Sequence, residues 1–259
     1  MTAAPLVFIT GASSGIGQAL AARYYRAGYR LALVARRAAE VQAWAQSQNF
    51  EAARFAVYAA DVRDVAAITG AGRACIAAQG VPDVVIANAG ISVGVDTAIE
   101  ADLDVIRATL ETNLLGVAAT FQPFVEPMRT RRSGRLVGIA SVAGIRGLPG
   151  HAAYSLSKAG VISYCESLRL ECKPFGVRVV TIAPGYIDTP LTQGNSYSMP
   201  FLMPADKFAR QALDAIAAGV SFRVIPWQMG MVARLLRILP DWLYDPILAG
   251  RPRKKRQGQ

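Results

Sequence analysis

The stretch Leu6-Val7-Phe8-Ile9-Thr10-Gly11-Ala12-Ser13-Ser14-Gly15-Ile16-Gly17-Gln18-Ala19-Leu20 decides the fold. Its first five residues are mostly large and apolar and read as a strand, whereas Ile16–Ala27 carries apolar residues at helical spacing. Three glycines join the two, in the pattern T-G-x-x-x-G-x-G. A Cβ at these positions would block both the tight turn and the close approach of backbone to a phosphate. The free N–H groups at the helix start are then open to a pyrophosphate. Gly11, Ser13, Ser14, Gly15, Ile16 and Gly17 are therefore candidate contacts to a dinucleotide, because the motif sits at the first turn of a strand–helix–strand unit.

The alternation continues outward. Arg30–Ala35, Arg54–Ala59, Asp83–Ala87, Arg135–Ala140, Val177–Ile182 and Phe222–Ile225 read as further strands. Ala38–Gln48, Val65–Ala78, Ala101–Thr130, Ala152–Cys172 and Ala205–Ala218 read as helices between them. Several strands are apolar on both faces, as a parallel sheet covered on both sides requires. The expected fold is α/β, a doubly wound, seven-stranded parallel sheet flanked by helices. Residues 1–225 form one domain on this pattern, with 226–259 appended as an amphipathic helix and a basic tail.

Composition excludes several classes. Of 259 residues 53% are hydrophobic and only 18% charged, which rules out a disordered chain. The formal charge of +10 points first to nucleic acid or an anionic membrane. Its distribution argues otherwise: residues 1–222 hold 20 basic and 16 acidic side chains, and residues 223–259 hold 8 and 2. The tail also lacks interleaved aromatics for stacking bases, so no nucleic-acid partner is expected. Cys75, Cys165 and Cys172 lack the paired spacing of a zinc or redox site and read as buried thiols, and no metal site is expected. The first charged residue is Arg23, but glycines and serines break the apolar run before it and there is no basic start. An export signal is not expected, nor a spanning helix, and a cytoplasmic location is.

The second strand ends Leu33-Val34-Ala35-Arg36-Arg37, where an acid would bind the ribose 2′-hydroxyl of NAD. The first acid is Glu40, whereas Arg36 and Arg37 offer guanidinium forks suited to a 2′-phosphate. NADP(H) is expected over NAD(H). Further on, Tyr154-Ser155-Leu156-Ser157-Lys158 puts a phenol and an ammonium on one helix face. An unperturbed tyrosine, with a pKa of about 10, is too weak an acid for neutral pH, and a neighbouring cation lowers it. Ser141 ends the fifth strand, at the carboxyl edge where open sheets bind ligands.

With these residues in place the chain resembles the short-chain dehydrogenase/reductase family of the core-only type. The match comprises Thr10-Gly11-x-x-x-Gly15-x-Gly17, Asp61, Asn88-Ala89-Gly90, Asn113, Ser141, Tyr154-x-x-x-Lys158 and Pro184-Gly185, in order over residues 5–225. The resemblance implies a Rossmann-type fold and hydride transfer between a nicotinamide and a carbonyl or alcohol. It makes Tyr154 the general acid or base, Lys158 the group that lowers its pKa and binds the nicotinamide ribose, and Ser141 the carbonyl contact. Asn113 would hold a relay water behind Lys158. Asp61 and Val62 would sit at the adenine, while Asn88, Ala89, Gly90, Pro184, Gly185 and Ile187 line the cleft and Thr189 touches the carboxamide. A homodimer or homotetramer is also implied, through helices 101–130 and 152–172. The rival is a non-catalytic NADP-binding regulatory protein of the same fold, against which the intact Ser141, Tyr154 and Lys158 argue.

In this family the substrate contacts follow Ser141 and Gly185. Here Val142–Gly150 and Tyr186–Pro204 carry Ile145, Leu148, Tyr186, Ile187, Leu191, Tyr197, Met199, Phe201, Leu202 and Met203, which suggests an apolar pocket. Ile145, Leu148, Tyr186 and Leu191 are the named substrate candidates, and the substrate is expected to be a hydrophobic small-molecule carbonyl or alcohol. His151 reads as a polar residue at the pocket rim. Beyond Trp227, the residues Met231, Val232, Leu235, Ile238, Leu239 and Trp242 recur at helical spacing. Three roles compete for that helix: packing on the protein or a neighbouring subunit, a lid over the substrate channel, or peripheral membrane contact through 227–259. In the last, Arg251, Arg253, Lys254, Lys255 and Arg256 would add attraction to anionic lipid.

Overall fold

A computed structural model describes residues 4–193, 195, 197–250, 253–256 and 258. The chain alternates strand and helix: β1 (Leu6–Thr10), α1 (Gly15–Arg26), β2 (Arg30–Ala35), α2 (Ala38–Ser47), β3 (Phe55–Ala59), α3 (Val65–Gln79) and β4 (Val84–Ala87). It continues with α4 (Asp102–Leu110), a π-helical turn (Glu111–Leu115), α5 (Gly116–Arg131), β5 (Arg135–Ile139), α6 (Ala152–Cys172) and β6 (Arg178–Pro184). Then come β7 (Ile187–Asp188), α7 (Pro190–Gln193), β8 (Met203–Pro204), α8 (Ala205–Ala218), β9 (Phe222–Ile225), α9 (Trp227–Ile238) and α10 (Asp241–Leu248).

Seven strands form one parallel sheet in the order β3-β2-β1-β4-β5-β6-β9. The strands are apolar on both faces because both faces are covered. Val7, Ile9, Leu31 and Leu33 point into a core shared with Leu20, Tyr24 and Phe208 from α1 and α8. Leu6, Phe8, Ala32 and Val34 point the other way, onto Ile68, Phe121, Phe124 and Val161 from α3, α5 and α6. Burying one such large side chain contributes about 1.5–3 kcal/mol, so the two layers hold the sheet rigid. Strand order reverses direction between β1 and β4, which opens a crevice at their carboxyl ends. Local signals set the helix limits: the Asp64 carboxylate accepts the Ala67 N–H at the start of α3, and Gly219 closes α8 in the left-handed region.

Three sequence expectations change. The long helix predicted over 101–130 is divided by the π-helical turn, which re-aims Asn113. Of the residues proposed to line an apolar pocket, Ile187 and Met203 pair as β7 and β8 and enter the core, while Phe201 and Leu202 face solvent. The apolar stripe of the C-terminal helix does not pack on the protein itself. α9 docks through its small and flat face, Met229, Gly230 and Ala233, with Gly230 against Val224. Trp227, Met231, Leu235, Ile238 and, from α10, Trp242 are turned outward, with exposures of 57–77%. The basic tail is not free either. Arg256 pairs with Asp102 and Arg253 with Asp96, while Arg251 lies outside the described residues.

Candidate active site

At the β1–α1 turn Gly11 and Gly15 have φ of +69° and +53°, a region that glycine enters without strain. A Cβ on Gly11 would stand 2.8 Å from the Ala89 Cα, and one on Gly17 would run into the Gly11 carbonyl oxygen. The turn is thus packed backbone against backbone. Asn88 fastens it from below: its Nδ2 donates to the carbonyls of Thr10 (3.0 Å) and Gly11 (3.3 Å), and the Thr10 hydroxyl accepts the Asn88 N–H (3.1 Å). Ser14 caps α1 without a side-chain bond and the first turn has no acid, so its N–H groups stay available to an anion.

From this turn a cleft of about 480 Å³ follows the carboxyl edge of the sheet. Gly11, Ser13, Ser14, Gly15, Ile16, Arg36, Arg37, Asp61, Val62, Asn88, Ala89, Gly90, Pro184, Gly185, Ile187 and Thr189 line it, as do Ser141, Tyr154 and Lys158. Gly17 lies behind the lining. At the β2 end Arg36 approaches Asp61 (3.9 Å), and Arg37 pairs with Glu40 (3.0 Å). Arg63, which the sequence reading missed, grips Asp61 at 2.8 Å and holds that carboxyl below its usual range, first through the Arg63 side-chain hydrogen bond. Its signal in the sequence was only a position two residues past a motif aspartate. A cradle of this shape, with open helix N–H groups at one end and three arginines beside it, fits a dinucleotide.

At the other end α6 carries Tyr154 and Lys158. Lys158 is 4% exposed, donates to the Ile139 carbonyl at 2.8 Å, and stands 5.8 Å from the centre of the Tyr154 ring. Burial lowers the ammonium to about 8 and raises the Tyr154 phenol, while the neighbouring Ser141 hydroxyl acts in the opposite direction on the phenol. Ser141, two residues past the end of β5, accepts the Ala143 N–H at 3.2 Å, which fixes its side chain. Asn113 is fully buried. Its Oδ1 accepts the Ile91 N–H (2.8 Å), and its Nδ2 donates to the Ile91 carbonyl (2.9 Å) and the Ser157 hydroxyl (3.0 Å). It therefore ties the loop after β4 to α6, beneath Tyr154 and Lys158.

The substrate side is more polar than the sequence suggests. Ile145 and Leu148 are half-buried on the loop after β5, and Leu191 edges the cleft. Tyr186 and Tyr197 face each other with ring centres 6.3 Å apart. His151, nearly buried at the rim, places Nδ1 2.9 Å from the Pro149 carbonyl, so Nδ1 carries the proton and Nε2 accepts from the Tyr197 hydroxyl at 3.2 Å. Burial lowers its pKa. The three cysteines are buried and unpaired, and no cluster able to hold a metal occurs among the described residues.

The chain is similar to known proteins in sequence and in fold. The short chain dehydrogenase family model matches residues 5–199. An uncharacterized oxidoreductase of Myxococcus xanthus is 37% identical over 92% of this chain and 93% of its own. Dehydrogenase/reductase SDR family member 7B of Bos taurus is 30% identical over 98% and 83%. The structure of an alcohol dehydrogenase from Thermococcus sibiricus, complexed with 5-hydroxy-NADP, superposes with a TM-score of 0.75 at 25% identity, over 85% of this chain and 95% of that one. The family match over residues 5–199, the relatives aligned over nearly the whole chain and the shared fold place it: the chain is an oxidoreductase of the short-chain dehydrogenase/reductase family.

Proposed function

We propose that the chain is an NADP(H)-dependent oxidoreductase that interconverts a carbonyl and an alcohol on a largely hydrophobic small molecule. The observation that carries this is one continuous cleft joining Arg36 and Arg37 to Ser141, Tyr154 and Lys158. A bound nicotinamide supplies or accepts the hydride. The residues do the rest. Arg36 and Arg37 hold the 2′-phosphate, and the N–H groups of α1 hold the pyrophosphate. Asp61 and Val62 take the adenine end, and Thr189 with Ile187 the carboxamide end. Ser141 donates to the carbonyl oxygen and orients it, and Tyr154 gives that oxygen its proton. Burial favours the neutral phenol, the state a proton donor needs in the reductive direction. Lys158, cationic below about 8, faces the phenol and stabilises the anion left behind. Asn113 acts by positioning α6 and the loop after β4, where a water of the proton relay behind Lys158 would be held. That the Thermococcus relative bound an NADP derivative supports the choice of cofactor.

Two outward surfaces suit partners. Leu115 in the π-helical turn before α5, and Leu156 and Leu170 on α6, are exposed at 55–60% and offer apolar surface to a second copy. The exposed stripe runs from Trp227 at the start of α9 to Trp242 on α10, with the exposed Arg223, Arg234 and Arg237 nearby in sequence, which suits peripheral contact with anionic lipid. No helix among the described residues is long and apolar enough to cross a membrane.

The test is a screen of NADPH oxidation over aldehydes, ketones, steroids and quinones, with Tyr154→Phe as the control. Turnover by the parent chain that is lost in the variant, with NADPH binding kept, supports the assignment. NADPH binding without any turnover in the parent would instead favour a regulatory role.

A further inference from the structure

After α10 the chain turns back and its last described residues cross the mouth of the substrate side. Gly94, in the loop after β4, donates its N–H to the Lys255 carbonyl at 2.9 Å, and Gly94 and Arg256 form a parallel bridge. A Cβ on Gly94 would run into the Lys254 carbonyl oxygen, so only glycine lets the tail pass this close. Arg256 then closes a fork-to-fork pair with Asp102, Nε to Oδ2 at 2.7 Å and Nη2 to Oδ1 at 2.8 Å. Asp102 also accepts the Asp96 N–H at 2.6 Å and is 4% exposed. Two aligned charge-assisted bonds at a carboxylate with little access to water are a strong local clasp.

The clasp fixes where Lys254 goes. Its ammonium reaches the Leu191 carbonyl at 3.5 Å, at the edge of the cleft, and lies close enough to His151 to disfavour a second charge there. Inward of Lys254 lie His151, Tyr197 hydrogen-bonded to it at 3.2 Å, and Tyr186, whose ring centre is 6.3 Å from that of Tyr197. Arg253 and Arg256 have carboxylates as partners, whereas Lys254 has none among the described residues. Burial alone acts on its ammonium and disfavours the charge. A cation held part-buried without a counter-ion is costly unless a ligand supplies one.

We propose that Lys254, held in place by the Arg256–Asp102 clasp, is an anion subsite at the outer end of the substrate pocket, selecting carbonyl substrates that carry a carboxylate remote from the reacting carbon. This rests on the carbonyl-reductase assignment. It turns a hydrophobic substrate into an amphiphilic one, with its carbonyl at the Tyr154 phenol and its carboxylate at the Lys254 ammonium beside Leu191.

Matched substrates test it: 6-oxoheptanoate, 9-oxodecanoate and their methyl esters, with NADPH and the full chain. The better acid should exceed its ester in kcat/KM by about tenfold, the worth of one charge-assisted bond. Lys254→Met should bring that ratio to about one by raising KM for the acid, with kcat and the ester unchanged, and Lys254→Arg should keep the preference. Asp102→Asn and Gly94→Ala, which free the tail without touching the pocket side chains, should lower the ratio as well. Calorimetric titration of acid and ester into the NADP⁺-loaded protein reads the same preference without turnover. Acids no better than esters in the parent chain, or a preference that survives Lys254→Met, would overturn the subsite. Tighter binding of the acid that is lost in Lys254→Met, without reduction of either compound, keeps the subsite and removes the reductase assignment.

Discussion

At the glycine turn, close contact is backbone against backbone, Gly11 against Ala89 and Gly17 against Gly11, with the Asn88 side chain fastening the Thr10 carbonyl. At the mouth of the substrate side, contacts run between side chains on loops and a tail. Asp102 meets Arg256 across 154 residues, Gly150 lies against Arg253, and Arg146 donates to the carbonyls of Leu236 and Leu239. The first region has almost no freedom to change, because a single added methyl collides with main chain. The second is an assembly of replaceable side chains on the same rigid sheet. One scaffold can thus keep its cofactor and alter its substrate.

The largest effect should come where the two regions meet. Tyr154→Phe is expected to lower kcat at least 10²-fold in the reductive direction while NADPH affinity, read by fluorescence, is kept. Retained turnover would mean that the proton comes from the substrate side instead. Next, Arg36→Ala with Arg37→Ala should cut kcat/KM for NADPH about 10²- to 10⁴-fold, from charge-assisted bonds worth about 1.5–3 kcal/mol each, and leave NADH unchanged. Equal loss with both cofactors would place the arginines in stability rather than phosphate recognition.

A pH profile separates the ends further. Lys158 is lowered to about 8, so its charge is complete well below that value and lost above it. The reductive rate should therefore fall as pH rises through about 8, with the loss read in kcat. At the mouth the sign is opposite. Arg256's hydrogen bond first, and the Asp96 N–H next, bring Asp102 down to about 2. A carboxyl depressed in the fold stabilises it above the ordinary value near 3.9 and ceases to do so as pH falls through about 2. The tail should stay docked from neutrality down to about pH 5, as limited proteolysis can follow. The smallest effect is expected from Asp102→Asn, which should speed tryptic cleavage after the tail's basic residues a few-fold and leave the rest of the chain intact.

How much was legible in sequence follows the same division. β1 and β2 begin and end where the sequence predicts, because a buried parallel strand is apolar on both faces. β6 runs two residues past its predicted end, to Pro184, because β9 pairs with it there, and that partner is distant in sequence. Asn113 was recognisable as a motif residue, but its partners Ile91 and Ser157 were not, since the π-helical turn that aims it depends on packing between α4, α5 and α6. The apolar spacing of α9 was visible and the side it would present was not. Small residues, Gly230 and Ala233, let that helix lie close to β9, and the larger side chains were left outside.

Sequence alone determined the alternation of strand and helix, the glycine turn and the pairing of phenol with ammonium on one helix. Each depends on residues within a few positions of one another, where backbone geometry and helical period act directly. Only the tertiary structure decided which cations are neutralised and which is left to meet a ligand. The charge of +10 could not reveal that Arg256 closes on Asp102 while Lys254 stands without a carboxylate among the described residues. Ion pairing depends on distance in space and on exclusion of water, and neither exists until the sheet has brought the two ends of the chain to one edge.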